Sequence, residues 1–355
     1  MKINVPMTAA ALLAGSTLLL ACDAEEGSLD NGGDAPGCEV EGPRPELTAL
    51  VCPTPGVLPF ATQSCGFANP DNEARLSLRS DSSFGRDIVE TEDGDQVLEG
   101  GYCRIGNFIP NNCGNGLANE WVSFWEYRDD AWQNLGRVRT DDGGRYSFSL
   151  TGDDRYPIGE HTVYAVFEAT QTCAEHGVFV YPEGTQVIIT DIDGTLTRDD
   201  NEFITQLSNP SHVPAQNTGS DRLMQTWNDK GYIVVYLTAR PNDFRWQSRN
   251  WLRSQGFPYG PMETATSFVF GETARTYKRA FVNRVSGDLD WDIVAAYGNA
   301  FSDVDAYEDG GIPKNVTFTI NEASGAAGTV GMPGPDWTAH INGYVSDQPA
   351  ATQPF

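Results

Sequence analysis

The chain has 355 residues, which is enough for about two domains. Its hydrophobic content of 39%, with 13 Tyr, 17 Phe and 8 Trp, argues against an intrinsically disordered protein. The formal net charge of −26 argues against nucleic acid as a partner, because the phosphate backbone repels a strongly acidic protein.

The first 21 residues have the features of an export signal. Lys2 gives a positive start, and Met7–Ala21 is a run of apolar and small residues that is too short to span a bilayer. The sequence Leu19-Leu20-Ala21-Cys22 resembles the bacterial lipobox, in which the signal is cut before a cysteine that carries the lipid. The resemblance implies a lipoprotein signal peptide over 1–21 and an exported protein anchored through acyl chains on Cys22, on the periplasmic side of the inner membrane or in the outer membrane. An ordinary secretory signal is the alternative.

Residues 22–59 are rich in Gly, Pro and acidic side chains, which predicts an acidic flexible tether. Six further cysteines all precede Val187. An even number of cysteines in an exported chain predicts disulfide bonds, and the spacing leaves their pairing open. These cysteines are Cys38, Cys52, Cys65, Cys103, Cys113 and Cys173.

Residues 60–185 contain short runs of alternating apolar and polar residues. Examples are Trp121–Tyr127, Tyr146–Leu150 and His161–Phe167, and a tight-turn signal, Asp141-Asp-Gly-Gly144, lies between two such runs. Strands at this spacing predict an all-β, immunoglobulin-like sandwich. The sandwich contains no catalytic cluster, so we expect it to have a structural role.

Residues 186–355 alternate predicted strands with predicted helices, which is typical of an α/β domain with a parallel sheet. The apolar run at Val187–Thr190 predicts a strand buried on both faces. The tail after Asn321 has no assigned fold. The further predicted strands are Tyr232–Leu237, Ser267–Phe270, Asp292–Tyr297 and Val316–Ile320. The predicted helices are Ser220–Lys230, for which Ser220 is the expected N-terminal cap, Asp243–Gln255 and Glu272–Val285.

Polar residues follow three of these strands. Asp191 and Asp193 lie on the same side of the chain where it leaves the first strand, and Thr238 and the loop 298–305 follow two others. Open α/β sheets bind ligands at the carboxyl ends of their strands. Two close carboxylates repel each other unless a cation neutralises them, and hard oxygen ligands suit Mg²⁺. The pattern predicts a metal-dependent phosphoryl-transfer site.

At these residues the chain resembles a known family. From Val187 to about Asn321 it is similar to phosphatases of the haloacid-dehalogenase (HAD) superfamily, and within it to lipin-type phosphatidate phosphatases and the related LNS2 domain of membrane-associated phosphatidylinositol-transfer proteins. The resemblance implies a Rossmann-like HAD sheet with a minimal cap and an open site. It rests on Asp191-Ile-Asp-Gly-Thr-Leu-Thr197, Gly231-Tyr-Ile-Val-Val-Tyr-Leu-Thr-Ala-Arg-Pro241, Trp251-Leu-Arg-Ser-Gln-Gly-Phe-Pro-Tyr-Gly260 and Ala295-Ala-Tyr-Gly-Asn-Ala-Phe-Ser-Asp-Val-Asp-Ala-Tyr307.

The family's roles can be transferred to matching positions. Asp191 would be the nucleophile, and Asp193 would be the general acid and then the base. Mg²⁺ would lie between the Asp191 carboxylate, the Asp193 backbone carbonyl and Asp303. Thr238 would bind the phosphoryl oxygens, and Lys278 would contact both nucleophile and phosphate. The remaining implied substrate-binding residues are Gly194, Thr195, Ala239, Arg240 and Asn299.

The resemblance implies Mg²⁺-dependent hydrolysis of a phosphomonoester, with phosphatidic acid or a related phospholipid as substrate and an aspartyl-phosphate as intermediate. The alternatives are a non-catalytic phosphatidate-binding module and a phosphatase for soluble phosphate esters. Asp191 and Asp193 are both present, which favours catalysis. The sequence does not predict the oligomeric state.

Arg245, Arg249 and Arg253 recur every four residues and share one face of a predicted helix. Two interpretations are open for this face. It could form a basic rim that attracts an anionic lipid, or it could be an ordinary solvated surface.

Overall fold

Two groups of strands follow one another along the chain, and the second group carries the predicted site. The computed structural model describes residues 66–76, 81–106, 113–129, 131–209 and 211–355. All of these residues belong to one compact unit of the chain. The predicted signal peptide, the Cys22 anchor, the tether over 22–59 and the cysteines Cys38, Cys52 and Cys65 lie outside the described residues.

The first group of strands forms two sheets. Strand β3 lies between β1 and β4 in one sheet and also pairs with β7, and the other sheet has the order β2-β9-β8-β5-β6. Every pair is antiparallel except β2 with β9. The elements are α1 (Pro70–Leu76), β1 (Asp81–Gly85), β2 (Ile88–Glu90), β3 (Val97–Ile105), β4 (Cys113–Gly116), β5 (Trp121–Arg128), β6 (Ala131–Arg139), β7 (Arg145–Ser149), β8 (Gly159–Phe167) and β9 (Thr172–Val180).

Both sheets contribute to one apolar core. Leu98 of β3, Phe124 of β5 and Phe167 of β8 are fully buried in it. The alternating runs of the sequence therefore do form strands, because alternation directs one set of side chains into a shared core. The immunoglobulin-like topology stays a prediction.

We refer to the first group of strands, residues 81–180, as the β-region. The oxidation state of two of its cysteines can be assigned. Cys103 lies in β3 and Cys173 lies in β9, and both are disulfide-bonded and buried. Disulfide bonding is therefore correct for these two residues. The pairing among the six cysteines stays open.

The second group forms one six-stranded sheet of the order β12-β11-β10-β13-β14-β15, in which every pair is parallel. The predicted parallel sheet is confirmed. The elements are β10 (Gln186–Thr190), α2 (Asn201–Ser208), α3 (Ser220–Asp229), β11 (Ile233–Pro241), α4 (Arg245–Ser254), β12 (Met262–Ala265), α5 (Gly271–Asn283), β13 (Asp292–Gly298), α6 (Phe301–Asp309), β14 (Thr317–Thr319), β15 (Val330–Gly331) and α7 (Thr338–His340).

Strand β10 lies between β11 and β13, and an apolar core covers each of its faces. Ile188 packs into one core and Ile189 into the other, and both are fully buried. This is the arrangement that the uninterrupted β-branched run predicted. Asp191 follows directly, at the carboxyl edge of the sheet.

Two local predictions were wrong. Ser267–Phe270 is not a strand; the edge strand is β12, and 267–270 is irregular chain that leads into α5. Ser220 does not cap α3 from outside. It is the first helical residue after Gly219, and its buried hydroxyl donates to the carbonyl oxygens of Leu196 (2.9 Å) and Asn217 (2.8 Å). Tertiary hydrogen bonds replace the cap.

The tail after Asn321, whose fold the sequence left unassigned, completes the second group. Strand β15 extends the sheet beside β14. Trp337 is fully buried and joins the same core as Ile188, together with Ile341 and Val345.

The arginine face of α4 is neither a lipid-facing rim nor a solvated surface. Arg245 and Arg249 are buried, and both form ion pairs with Asp87, which lies between β1 and β2. Arg253 pairs with Glu175 of β9 at 3.3 Å. These three side chains therefore join the parallel sheet region to the β-region.

Candidate active site

The loop after β10 makes a sharp turn that requires glycine at position 194. Gly194 has a φ of 71°, which is in the left-handed region. A Cβ at this residue would lie 2.1 Å from Nδ2 of Asn299. The Gly194 amide donates to the Thr197 hydroxyl at 2.9 Å, which closes the turn.

Asp191, Lys278 and Asp303 meet at the base of the site, although they come from three separate elements. Lys278 of α5 donates from Nζ to Oδ1 of Asp191 (2.6 Å) and to Oδ1 of Asp303 (2.5 Å). All three side chains are buried. The other oxygen of Asp303 accepts from the backbone amides of Asn299 and Ala300, each at 3.0 Å, at the start of α6.

This cluster has two carboxyl groups and one ammonium group. Burial raises the pKa of Asp191 to about 8; Lys278 opposes the shift, while Asp303 and Asp193 reinforce it. Burial disfavours the charged form of Lys278, but the charges of Asp191 and Asp303 outweigh that effect and raise its pKa above the usual range. Several carboxylates around one ammonium group in a low dielectric favour the binding of a further cation.

The Asp193 carboxylate is held by Arg240. The guanidinium donates from Nη2 to Oδ1 at 2.7 Å and from Nε to Oδ2 at 2.8 Å. Arg240 itself is buried, contacts the Ser248 hydroxyl at 3.1 Å and stacks over the ring of Phe203. A bidentate pair of this kind fixes the orientation of a carboxylate. In this geometry Arg240 positions Asp193.

The other predicted site residues lie around this base. The Thr195 hydroxyl is 3.1 Å from Oδ2 of Asp191 and 3.0 Å from Oδ1 of Asn299. The Thr238 hydroxyl lies 3.5 Å from Oδ2 of Asp193 and accepts from the Arg240 amide at 3.2 Å. The structure thus brings together residues that are more than 100 positions apart.

The last residue of the loop 298–305 lies apart from the cluster. Asp305, which follows Asp303 by two residues, is half-exposed and lies 3.8 Å from Arg275. It does not line the cavity described below.

Sequence reasoning missed the residues that hold the loop 191–197 in place. Asn217 is buried, and its Nδ2 donates to the carbonyl oxygens of Gly194 (3.2 Å), Thr195 (2.9 Å) and Thr197 (2.9 Å). Asn321 donates to the Gly194 carbonyl at 2.6 Å. These asparagines have no distinctive spacing in the sequence, so only the folded chain identifies them.

The site opens into a cavity of about 260 Å³. Asp191, Asp193 and Lys278 lie on its polar side. Most of the other lining residues are apolar, and the large apolar ones come from α2 and from the irregular chain before α5. Prominent among these apolar residues are Phe203, Ile204, Phe268, Val269 and Phe270.

The residues at the base fit the predicted magnesium ion. Among the described residues no group of three or more His, Cys, Asp or Glu side chains could hold a metal. The predicted set needs fewer, because Mg²⁺ in phosphoryl-transfer sites is commonly held by one or two carboxylates together with water and substrate oxygens. The Asp191 and Asp303 carboxylates already converge on one cation, the Lys278 ammonium group.

Comparison with known families identifies the region that carries this site. Residues 188–321 match the LNS2 domain of PITM 1-3. The match begins in β10, includes Asp191, Lys278 and Asp303, and ends just beyond β14. We refer to this region as the LNS2-like domain.

Curated relatives extend the similarity. The chain is 26% identical over 242 residues to membrane-associated phosphatidylinositol transfer protein 3 of Mus musculus, an alignment that covers 67% of this chain and 23% of that protein. It is 25% identical over 289 residues to the type 1 protein of Rattus norvegicus, covering 80% of this chain and 22% of that protein. The chain thus spans about a quarter of these relatives, and both alignments reach beyond the LNS2-like domain.

A solved structure of the Pnkp1/Rnl/Hen1 RNA repair complex is also similar, at 18% identity and a TM-score of 0.33 over 40% of this chain and 45% of that chain. This score is too low to establish a common fold.

The described part of the chain contains no helix that is both long and apolar enough to cross a membrane.

Proposed function

We propose that the LNS2-like domain is a Mg²⁺-dependent phosphatase of the HAD type that hydrolyses a phosphomonoester of a phospholipid, with phosphatidic acid as the best candidate. The observation that carries the proposal is the Asp191–Lys278–Asp303 cluster beside Asp193 in one cavity. The names of the curated relatives, which are phosphatidylinositol transfer proteins, support a phospholipid ligand.

In the proposed reaction, an oxygen of Asp191 attacks phosphorus and the bond from phosphorus to the lipid oxygen breaks. Asp193 gives a proton to the departing oxygen. It then accepts a proton from the water that hydrolyses the aspartyl-phosphate, so inorganic phosphate leaves and both aspartates are regenerated. Arg240 keeps the Asp193 carboxylate beside the nucleophile, and Lys278 supplies positive charge to the nucleophile and to the phosphoryl group.

Asp191 and Asp303, with the Asp193 backbone carbonyl, would hold Mg²⁺. When bound, the ion neutralises charge on the transferring phosphoryl group. The Thr195 hydroxyl contacts both the Asp191 carboxylate and the Asn299 side chain, so these two residues would help to orient the Asp191 carboxylate.

The further features of the chain fit this proposal. An acyl anchor on Cys22 would keep the domain close to a membrane-presented substrate. The two sheets of the β-region, as an immunoglobulin-like module, would support the catalytic region through the contacts of α4.

Catalysis and lipid binding alone predict different results for Asp191→Asn. Phosphatase activity requires a nucleophile, so we expect Mg²⁺-dependent phosphate release from phosphatidic acid in mixed micelles to fall on the order of a thousandfold or more. EDTA should abolish release by the wild-type protein. Asp305→Asn, which changes a half-exposed aspartate outside the cavity, is the matched control and should keep full activity.

Three other outcomes would redirect the assignment. Undiminished turnover in Asp191→Asn would refute the mechanism. Release from glycerol 3-phosphate but not from phosphatidic acid would indicate a phosphatase for soluble esters. If the wild-type protein released no phosphate yet bound phosphatidate vesicles, the domain would be a non-catalytic binding module.

A further inference from the structure

A row of aromatic rings leads from the reactive end of the cavity to the protein surface. Phe203 lies beneath the Arg240 guanidinium, with 4.5 Å between the guanidinium carbon and the ring centroid. The Phe203 and Phe268 centroids are 6.5 Å apart, and those of Phe268 and Phe270 are 6.4 Å apart with nearly parallel rings. All three residues line the same cavity.

The outer end of this row is exposed. Phe270 is 76% exposed, and Ile204, on the same cavity wall, is 59% exposed. These two large apolar side chains at the mouth of the site leave more than half of their surface exposed in the described part of the chain. They would be stabilised by contact with an apolar ligand.

The cavity therefore changes in character along its length. Its inner end has the carboxylates and the ammonium group that suit a phosphoryl group and a cation, and its outer wall is aromatic and aliphatic. A ligand that matches both parts has a phosphate on a hydrocarbon chain. A small hydrophilic phosphate ester would leave the Phe268 and Phe270 surface in water.

We propose that Phe203, Phe268 and Phe270, with Ile204, form an acyl subsite that receives a hydrocarbon chain of the lipid whose phosphate lies at Asp191. This inference rests on the proposed function and specifies how its substrate is selected. The occupant is one acyl chain of a single phospholipid molecule drawn toward the cavity from a bilayer or micelle.

The test compares a lipid substrate with a soluble one in the double variant Ile204→Ser, Phe270→Ser. Both residues are exposed, so the fold should persist. Phosphate release is measured on phosphatidic acid in phosphatidylcholine vesicles and on glycerol 3-phosphate. We expect the ratio of kcat/KM for the lipid to that for the soluble ester to fall about tenfold or more, because the lipid loses apolar contacts that the soluble ester never makes.

The matched control is Phe355→Ser. Phe355 is 53% exposed but stacks on Tyr181 and does not line the cavity, so the ratio should be that of the wild-type protein. An unchanged ratio in the double variant, or an equal fall in the control, would overturn the acyl subsite.

A binding measurement separates this inference from the proposed function. Co-sedimentation with vesicles of phosphatidic acid in phosphatidylcholine is measured for Asp191→Asn with and without the two serine substitutions. Weaker sedimentation of the serine variant supports the subsite even if the wild-type protein releases no phosphate. Equal sedimentation, or none for either protein, overturns it.

Discussion

At the scale of single residues, the proposed chemistry depends on side chains that would not touch the substrate. Gly194 and Thr195 must present Asp191 to the cavity, and their carbonyl oxygens point back into the protein. The buried Asn217 side chain lies behind the loop, and its amide nitrogen donates to three of the loop's carbonyl oxygens. Because the amide is fully buried, its loss leaves those carbonyls without a partner and without water.

Asn217 can be tested as a positioning residue. We expect Asn217→Ala to lower kcat about tenfold or more while KM changes little, because the loop would sample orientations in which Asp191 is misaligned. Asn217→Asp should be worse than alanine, since it places carboxylate oxygens against carbonyl oxygens. Steady-state kinetics with phosphatidic acid check both.

A control distinguishes positioning from general destabilisation. Gln225→Ala removes a side-chain amide that donates to the Gly256 carbonyl at 2.7 Å on the exposed side of α3, outside the cavity. Its kcat should remain that of the wild-type protein. A loss of kcat in Asn217→Ala that is matched by Gln225→Ala would argue against a specific role for Asn217.

At the scale of elements, the sequence predicts what a local pattern encodes. The β-branched run of β10 and the alternating runs of β5 and β8 predict strands, and the structure has strands at all three places. The alternation does not predict which residues are buried, because five consecutive residues are buried in β5 and five in β8. The meeting of Asp193 with Thr238 follows from the rule for strand ends. That rule says nothing about Asn217 or the Phe203–Phe270 row, which depend on how α2 and 267–270 fold over the edge.

The arginine face of α4 is the clearest failure of local reasoning. A repeat of i, i+4 and i+8 gives one helical face but does not say what covers that face. Here Asp87 covers it, from a segment more than 150 residues earlier in the sequence. The pKa of Asp87 is lowered, since Arg245 and Arg249 more than offset its burial.

Asp87 also yields a stability prediction. Asp87→Ala would leave two guanidinium groups buried without their counter-ion, so we expect the free energy of unfolding to fall by about 3–5 kcal/mol. The backbone amides of Met262 and Gly177 would lose an acceptor as well. Urea denaturation followed by tryptophan fluorescence measures the change.

Glu99→Ala is the paired control. Glu99 forms an ion pair with Arg86 at 3.3 Å, but its side chain is 52% exposed, so its removal should cost no more than about 1 kcal/mol. Similar losses in both variants would mean that the Asp87 cluster contributes no more than a surface ion pair.

At the scale of the whole molecule, the β-region and the parallel sheet are joined by a shared interior. Phe179 of β9 and Val89 of β2 belong to the same apolar core as Val187 and Leu237 of the sheet. The Asp87 ion pairs lie in this junction too. One titratable side chain near these ion pairs, His176 of β9, is fully buried.

His176 has a defined tautomer in this junction. Its Nδ1 lies 2.7 Å from the Arg86 carbonyl oxygen, which can only accept, so Nδ1 carries the proton. Nε2 then accepts from the Tyr146 hydroxyl at 2.9 Å. Burial lowers the pKa of His176 to about 4; its Arg86 hydrogen bond and Asp87 oppose that shift, and Arg245 reinforces it.

This lowered pKa makes stability depend on pH in a definite direction. Between about pH 6.5 and pH 4 the unfolded chain binds a proton at His176 that the folded chain excludes, so stability falls as the pH falls through that window. The stability lost between pH 6.5 and pH 4 is on the order of 3 kcal/mol. We expect His176→Gln, which cannot be protonated, to lose correspondingly less stability between pH 7 and pH 4.5 than the wild-type protein, whatever its stability at pH 7. Urea denaturation across this range measures both slopes, and Val213→Ser, at an exposed site, should retain the wild-type slope. Parallel curves for His176→Gln and the wild-type protein would show that acid reaches the fold through other groups, such as His340, whose pKa burial also lowers to about 4.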